Sequence, residues 1–330
     1  MTGSDVIVKL DDRARLMSAI LAATRYPDMA QERRPHGTHA HARNTRKHVN
    51  GLRDHPAAAA LNALLDQRAP LEALFTLSMV LRFPECGIDR PPRWMPPGWN
   101  EQIRDFYQAS DLPTFWANES EDWDKALKDA QKAFATVRFK PFLESFIGEI
   151  TERFYILPNI SYPTDQELCL RLGTDLVCVI PPRLAWGESP PWPYDEDPAH
   201  LYRSALMQIG RSLVMNYLRV HADRIGEVAQ HPLPIGDQFQ SMYPTWQEQF
   251  TNLFVAGAVA IYLEDHLNKT EADAYVMLER KVRGLTILPG MISVLRRYLE
   301  EKAAGRYQSL IDFLPVFPRQ LKVANRIVAL

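Results

Sequence analysis

Met207, Gln208 and Arg211 stand at i, i+1 and i+4 on the stretch HLYRSALMQIGRSLVMNYL, residues 200–218. Residues at i and i+4 project from one side of an α-helix, one turn apart. An H-E-x-x-H helix uses that spacing to place two imidazoles on a single Zn²⁺ with a carboxylate beside the metal's open position. Here the same frame offers a thioether, a neutral amide and a guanidinium. Catalytic zinc takes imidazole, carboxylate or thiolate, usually three protein ligands and a water. A thioether is a soft ligand suited to Cu(I), an amide is weak for zinc, and arginine stays protonated with no lone pair to give. A guanidinium about 4 Å from a divalent cation, at an effective dielectric near ~20, is repelled by on the order of 8 kcal/mol, roughly a millionfold in affinity. Gln208, moreover, cannot accept the proton of an attacking water as a glutamate base does.

Two helices must position these groups. Along the first, Leu201, Ala205, Leu206, Ile209, Leu213 and Tyr217 form one stripe and Ser204, Met207, Gln208, Arg211 and Met215 a second, so both sides suit burial. Asp197 followed by Pro198 is a strong start for it, an N-cap with proline at the first helical position. The second helix is TWQEQFTNLFVAGAVAIYLEDHL, residues 245–267, which carries Asn252 and, one turn earlier, Glu248.

The passage EDPAHLYRSALMQIGRSLVMNYL resembles a bacterial family known as domain of unknown function 4932, whose members look like gluzincin-type zinc metallopeptidases with a helix of the form H-E-F-S-H-S-F-V. Against that motif this chain has Met207, Gln208, Ile209, Gly210, Arg211, Ser212, Leu213 and Val214. The second helix resembles the one in which an N-E pair supplies the family's third zinc ligand; Thr251-Asn252 stand there, with Asn252 in place of the glutamate. The likeness runs over roughly the whole chain and is most specific from Asp197 to Leu267.

It implies an α+β, mostly helical, zincin-like metallopeptidase fold with a small central sheet and two site helices. The chain departs from the family at every position that would bind or activate zinc. The expectation is therefore a pseudoenzyme with no metal, no cofactor and no catalytic residue, its degenerate positions being Met207, Gln208, Arg211 and Asn252. Arg211 is expected to fill the space a metal would take and to hydrogen-bond Gln208, Asn252 or Glu248. By analogy with zincins, a peptide or protein segment would bind uncut in a retained cleft between the sheet and the site helices, alongside DLVCVI. Glu248, Trp246, Tyr243, His200 and Trp186 are the residues expected near that cleft.

The remaining signals bound the alternatives. A 330-residue chain that is 46% hydrophobic has ample core, and a formal net charge of -2 gives no overall pull toward nucleic acid or an anionic membrane. Three scattered cysteines, no CxxC pair, no signal-peptide pattern and no membrane-length apolar run lead to an expected soluble, cytoplasmic protein. The runs DVIVKL (5–10), RFYIL (153–157) and DLVCVI (175–180) read as strands, and nearly everything else as helix. The organisation expected is one domain over 1–330: a mainly helical front half with the first strand (1–150), the sheet strands (151–182) and a helical back half with the degenerate site (197–330).

Residues 33–53 hold Arg33, Arg34, Arg43, Arg46, Lys47 and Arg53 with no acid, interleaved with His36, His39, His41 and His48. A solvated loop leading into a helix is the favoured reading, since the histidines lack a convincing ligand spacing. Two alternatives to the pseudoenzyme stand beside it. One is a hydrolase with a rebuilt site that draws on His200, Glu248 or these histidines; the other is a nucleic-acid contact through residues 33–53.

Overall fold

The strands are β1 (Val6–Val8), β2 (Arg153–Pro158), β3 (Leu168–Leu172) and β4 (Asp175–Ile180), in the spatial order β1-β2-β4-β3. β1 and β4 run parallel to β2, and β3 returns antiparallel to β4, with Cys169 opposite Cys178. Five successive residues of β4, Leu176 to Ile180, are buried. Such an unbroken apolar run marks a strand covered on both faces, and in a sheet that place is the interior. β4 accordingly pairs with β2 on one side and β3 on the other. This corrects the expected position of a bound peptide beside DLVCVI, because the backbone of that strand is already engaged along both edges. The outer strands are β1 and, beside β4, β3, a strand not distinguished among the runs read from the sequence. A two-residue hairpin loop, Gly173-Thr174, joins β3 to β4, with Gly173 in the left-handed region at φ 61°.

The computed structural model describes residues 3–187 and 189–328. It divides the chain into two compact units, Met1–Val137 with Glu152–Leu201, and Arg138–Thr151 with Tyr202–Leu330. Residues 138–150, expected in the front half, and Thr151, expected with the sheet strands, belong to the second unit.

In the first unit the sheet is packed by helices α1 (Asp12–Ala23), α2 (Tyr26–Arg33), α3 (Ala40–His48), α4 (Pro56–Asp66), α5 (Leu71–Val80), α6 (Trp99–Ala109), α7 (Leu112–Asn118) and α8 (Ser120–Phe134). Asp11 caps α1 by accepting from the Arg13 backbone N–H, and Leu16, Met17, Ile20 and Leu21 of that helix are buried. Each fully buried aliphatic side chain of this kind contributes about 1.5–3 kcal/mol. Strand alternation splits the sheet's side chains: Leu157, Val177 and Val179 join the core built by α1, α4, α5 and α6, while Phe154, Ile156, Leu176 and Cys178 are buried on the opposite face.

The second unit contains α9 (Phe139–Ile147), α10 (Pro198–Val220, its first turn counted with the first unit), α11 (Ala222–Val228), α12 (Asp237–Met242), α13 (Trp246–His266), α14 (Lys269–Val282), α15 (Leu288–Ala303), α16 (Leu310–Phe313) and α17 (Phe317–Val328). Every residue of α13 from Phe250 to Leu263 is buried, as an all-round apolar helix at the centre of a unit must be. Aromatic rings surround it: Phe139 and Phe142 on Tyr262, and Phe146 on Phe254. The Tyr298 hydroxyl donates to the Phe146 carbonyl at 2.9 Å, tying α15 to α9. Among the described residues no helix is long and apolar enough to cross a membrane.

Candidate functional site

α10 and α13 lie against each other at Gly210, where an added Cβ would come within 2.9 Å of Val255 Cγ1. Asp197 caps α10 through the His200 backbone N–H at 2.9 Å, as the Asp-Pro pair predicts. A capping box starts α13: Thr245 Oγ1 accepts from the Glu248 N–H, and the Glu248 carboxylate accepts from the Thr245 N–H at 3.0 Å. The two helices on which the sequence places the degenerate positions are therefore neighbours, in contact between the turn of Met207–Arg211 and the turn after Asn252.

The four positions are chemically distinct. The Met207 sulfur accepts a hydrogen bond from the Tyr275 hydroxyl at 3.5 Å, and Tyr275 is itself buried on α14. Burial pushes the Tyr275 phenol far above its ordinary range, so it remains a donor. Gln208 is half-buried. Asn252 is buried; its Nδ2 donates to the Glu248 carbonyl of its own helix at 2.8 Å, and its Oδ1 has no partner among the described residues. Arg211 is half-buried and forms no hydrogen bond or ion pair among the described residues. This corrects the expected bond from Arg211 to Gln208, Asn252 or Glu248. Glu248 is committed to the cap instead, and its carboxyl lies below the ordinary range, first because of the Thr245 N–H and hydroxyl and last because of the Arg211 charge. A helix N-terminus competes well for a carboxylate, since N–H donors and the dipole act together there. As a donor set for zinc, the thioether, two amides and guanidinium do not fit.

Four of the five expected cleft residues, Glu248, Trp246, Tyr243 and His200, make structural contacts, and Trp186 is exposed. Trp246 is buried, stacked on Phe250 with the rings 5° from parallel, and its Nε1–H donates to the His231 carbonyl. Tyr243 packs on Phe239, and its hydroxyl accepts from Arg283 at 3.4 Å. Arg283 pairs with Glu279 one turn back on α14, and with Tyr275 these form a largely buried polar row at i, i+4 and i+8 that the sequence reading missed. The legible signal was an acid–base pair at i,i+4 behind a tyrosine on the same helix face. His200 and Trp186 belong to the first unit. His200 Nε2 lies 3.1 Å from the Pro181 carbonyl and is buried, while Trp186 is 70% exposed with the Arg34 guanidinium over its ring.

The basic segment is better ordered than the expected loop, since it contains α3 and a 3₁₀ turn at Asn50–Leu52. Its histidines serve the fold. His36 bridges the Arg34 carbonyl and the Thr164 hydroxyl, and His39 caps α3. His41, Glu119 and Asp122 bring three metal-competent atoms within 4.8 Å of one another. His41, however, is fully committed. Its Nε2 accepts from the Trp123 indole N–H at 2.9 Å, and indole only donates, so the ring proton sits on Nδ1 and faces Glu119 at 3.1 Å. Burial pushes the His41 pKa down to about 4, against the pull of Glu119. A metal on Nδ1 would have to take that proton's place and break the bond to Glu119.

No protein-family model, curated protein or solved structure matches the chain.

Proposed function

We propose that this chain is a zincin-like pseudoenzyme, descended in architecture from a zinc metallopeptidase and working by binding a peptide or protein partner. The observation that carries the reading is the packing of α10 on α13 at Gly210 and Val255, with Met207, Gln208 and Arg211 on one helix and Asn252 on the other. Two neighbouring helices are what a likeness to domain of unknown function 4932 calls for, and their contact supports the reading. Side chains unable to bind zinc stand at each ligand position. The rebuilt-hydrolase alternative loses its nearest groups, because Glu248 is held by a helix cap and the His200 ring is bonded to a backbone carbonyl. An extended partner strand would add to β3, the outer strand beside β4. We place the protein in the cytoplasm, where its three free cysteines stay reduced.

Reversion tests the positional equivalence. The quadruple variant Met207→His, Gln208→Glu, Arg211→His, Asn252→Glu should take up one zinc per chain while the parent takes up none, both measured by metal analysis after dialysis. A folded variant without zinc, or a parent that retains stoichiometric zinc, would refute the reading.

A further inference from the structure

Separate from that reading, the first unit contains a hollow of about 420 Å³ bounded by α2, α3, the turn after α3 and Tyr162. Four cations line it: Arg43, Arg46 and Lys47 from α3, and Arg53 beyond the 3₁₀ turn. The helical spacing explains the convergence, since residues 43, 46 and 47 lie at i, i+3 and i+4 and share one face. Elsewhere in the segment the positive charge is answered, Arg33 by Asp165 at 2.7 Å and Arg34 by the ring of Trp186. In the hollow, among the described residues, only Arg46 is paired with an acid, Asp28 at 2.7 Å, itself more than half exposed. Arg43 donates to the Thr38 carbonyl, and Arg43, Lys47 and Arg53 form no ion pair among the described residues.

Tyr162 supplies an independent observation. It is 4% exposed, lines the hollow, and its hydroxyl makes no hydrogen bond among the described residues. Arg46, Asp28 and Arg43 all act electrostatically on that phenol, which places its oxygen near the two arginines as well as near the acid that pairs with Arg46. Burial nonetheless pushes its pKa up to about 12, so at neutral pH it keeps its proton. The hydroxyl of a largely buried tyrosine, without a protein acceptor and beside a concavity rimmed by cations that form no ion pair, is complementary to an anion with several acceptor oxygens.

We propose that this hollow binds a phosphorylated small molecule, its phosphate held by Lys47, Arg53 and Arg43 and accepting the Tyr162 O–H. The volume is that of a small-ligand pocket. A recessed phenol suits a terminal phosphate entering the hollow better than a polymer backbone lying across its rim, which favours a small ligand over nucleic acid.

Calorimetric titration of the full chain with inorganic pyrophosphate and inorganic phosphate, at constant ionic strength, tests this. Saturable one-to-one binding is expected. The Lys47→Ala/Arg53→Ala double variant should weaken it by about tenfold or more, and Tyr162→Phe by several-fold with an unchanged or raised unfolding midpoint, since Phe removes an unpartnered hydroxyl. Absence of saturable binding to the folded chain, or affinities unmoved by these variants, overturns the proposal. So does a single-stranded oligonucleotide that binds and is not displaced by pyrophosphate, an outcome that would assign the surface to nucleic acid.

Discussion

Gly210 on α10 faces Val255 on α13 so closely that a methyl group on the glycine would meet Val255 Cγ1 at 2.9 Å and Cγ2 at 3.2 Å. Glycine in a helix interior costs about 1 kcal/mol relative to alanine, and at this position the residue sets the distance between the two helices. Both are buried, and a β-branched side chain has little rotamer freedom with which to yield.

Gly210→Ala should therefore destabilise by about 1–2 kcal/mol in spite of its better helix propensity, because overpacking outweighs the propensity gain. In a Val255→Ala background the same substitution should be neutral or stabilising. A double-mutant cycle by urea unfolding measures the coupling; additive effects would mean that the two residues do not press on each other.

Asn252 has a buried Oδ1 without a partner, and an unsatisfied buried acceptor costs about 1–3 kcal/mol. Asn252→Leu should consequently leave stability unchanged or raise it, read as the denaturation midpoint at constant m-value. A loss above about 2 kcal/mol would show that the amide oxygen has a partner in solution.

Glu279 and Arg283 form a pair whose side chains are only 10% and 16% exposed. Burial opposes the Arg283 charge, and the groups facing it, the Glu279 carboxylate and the Tyr243 hydroxyl among them, hold it charged. Removing one partner leaves the other buried and uncompensated, so Glu279→Ala should cost about 3–5 kcal/mol. The double replacement Glu279→Leu/Arg283→Met should cost much less than Glu279→Ala alone. Equal losses in the two variants would sink this account of the pair.

His41 sets a pH dependence whose sign follows from its depressed folded pKa, about 4 against 6.5 when unfolded. Between these values the unfolded chain binds the proton and the folded chain does not, so stability falls as pH drops from about 6.5 to 4. The full effect is about 3 kcal/mol at 1.36 kcal/mol per pH unit. His39 is also held below its ordinary range by burial and adds a term of the same sign. Urea unfolding at pH 7, 5.5 and 4.5 should show the decline, and His41→Gln should flatten it; a parallel decline in the variant would assign the slope to other groups.

Much of the local structure was legible. Asp197-Pro198 marked the start of α10, and the apolar run of residues 176–180 marked a strand. The Thr-x-x-Glu pattern at 245–248 was equally readable as a capping box, and would have shown in advance that Glu248 is occupied. The polar row Tyr275–Glu279–Arg283 and the pairing of Tyr162 with α3 were harder. The first draws Met207 from 68 residues away, and the second joins segments more than 100 residues apart.

By itself the sequence determined which chemistry was possible: a guanidinium, two amides and a thioether are a poor donor set for zinc in any arrangement, and helix caps and strand runs follow from neighbours a few residues apart. Tertiary structure alone decided which of those groups found partners. Arg211 stays unpaired because the N-terminus of α13 already holds Glu248, and β4 is interior because β2 and β3 bond to its two edges. Likewise three unpaired cations of the basic segment share a hollow with the Tyr162 hydroxyl because that loop folds back against α3. Side-chain chemistry belongs to each residue, whereas competition for hydrogen bonds and charge is settled among groups that only folding brings together.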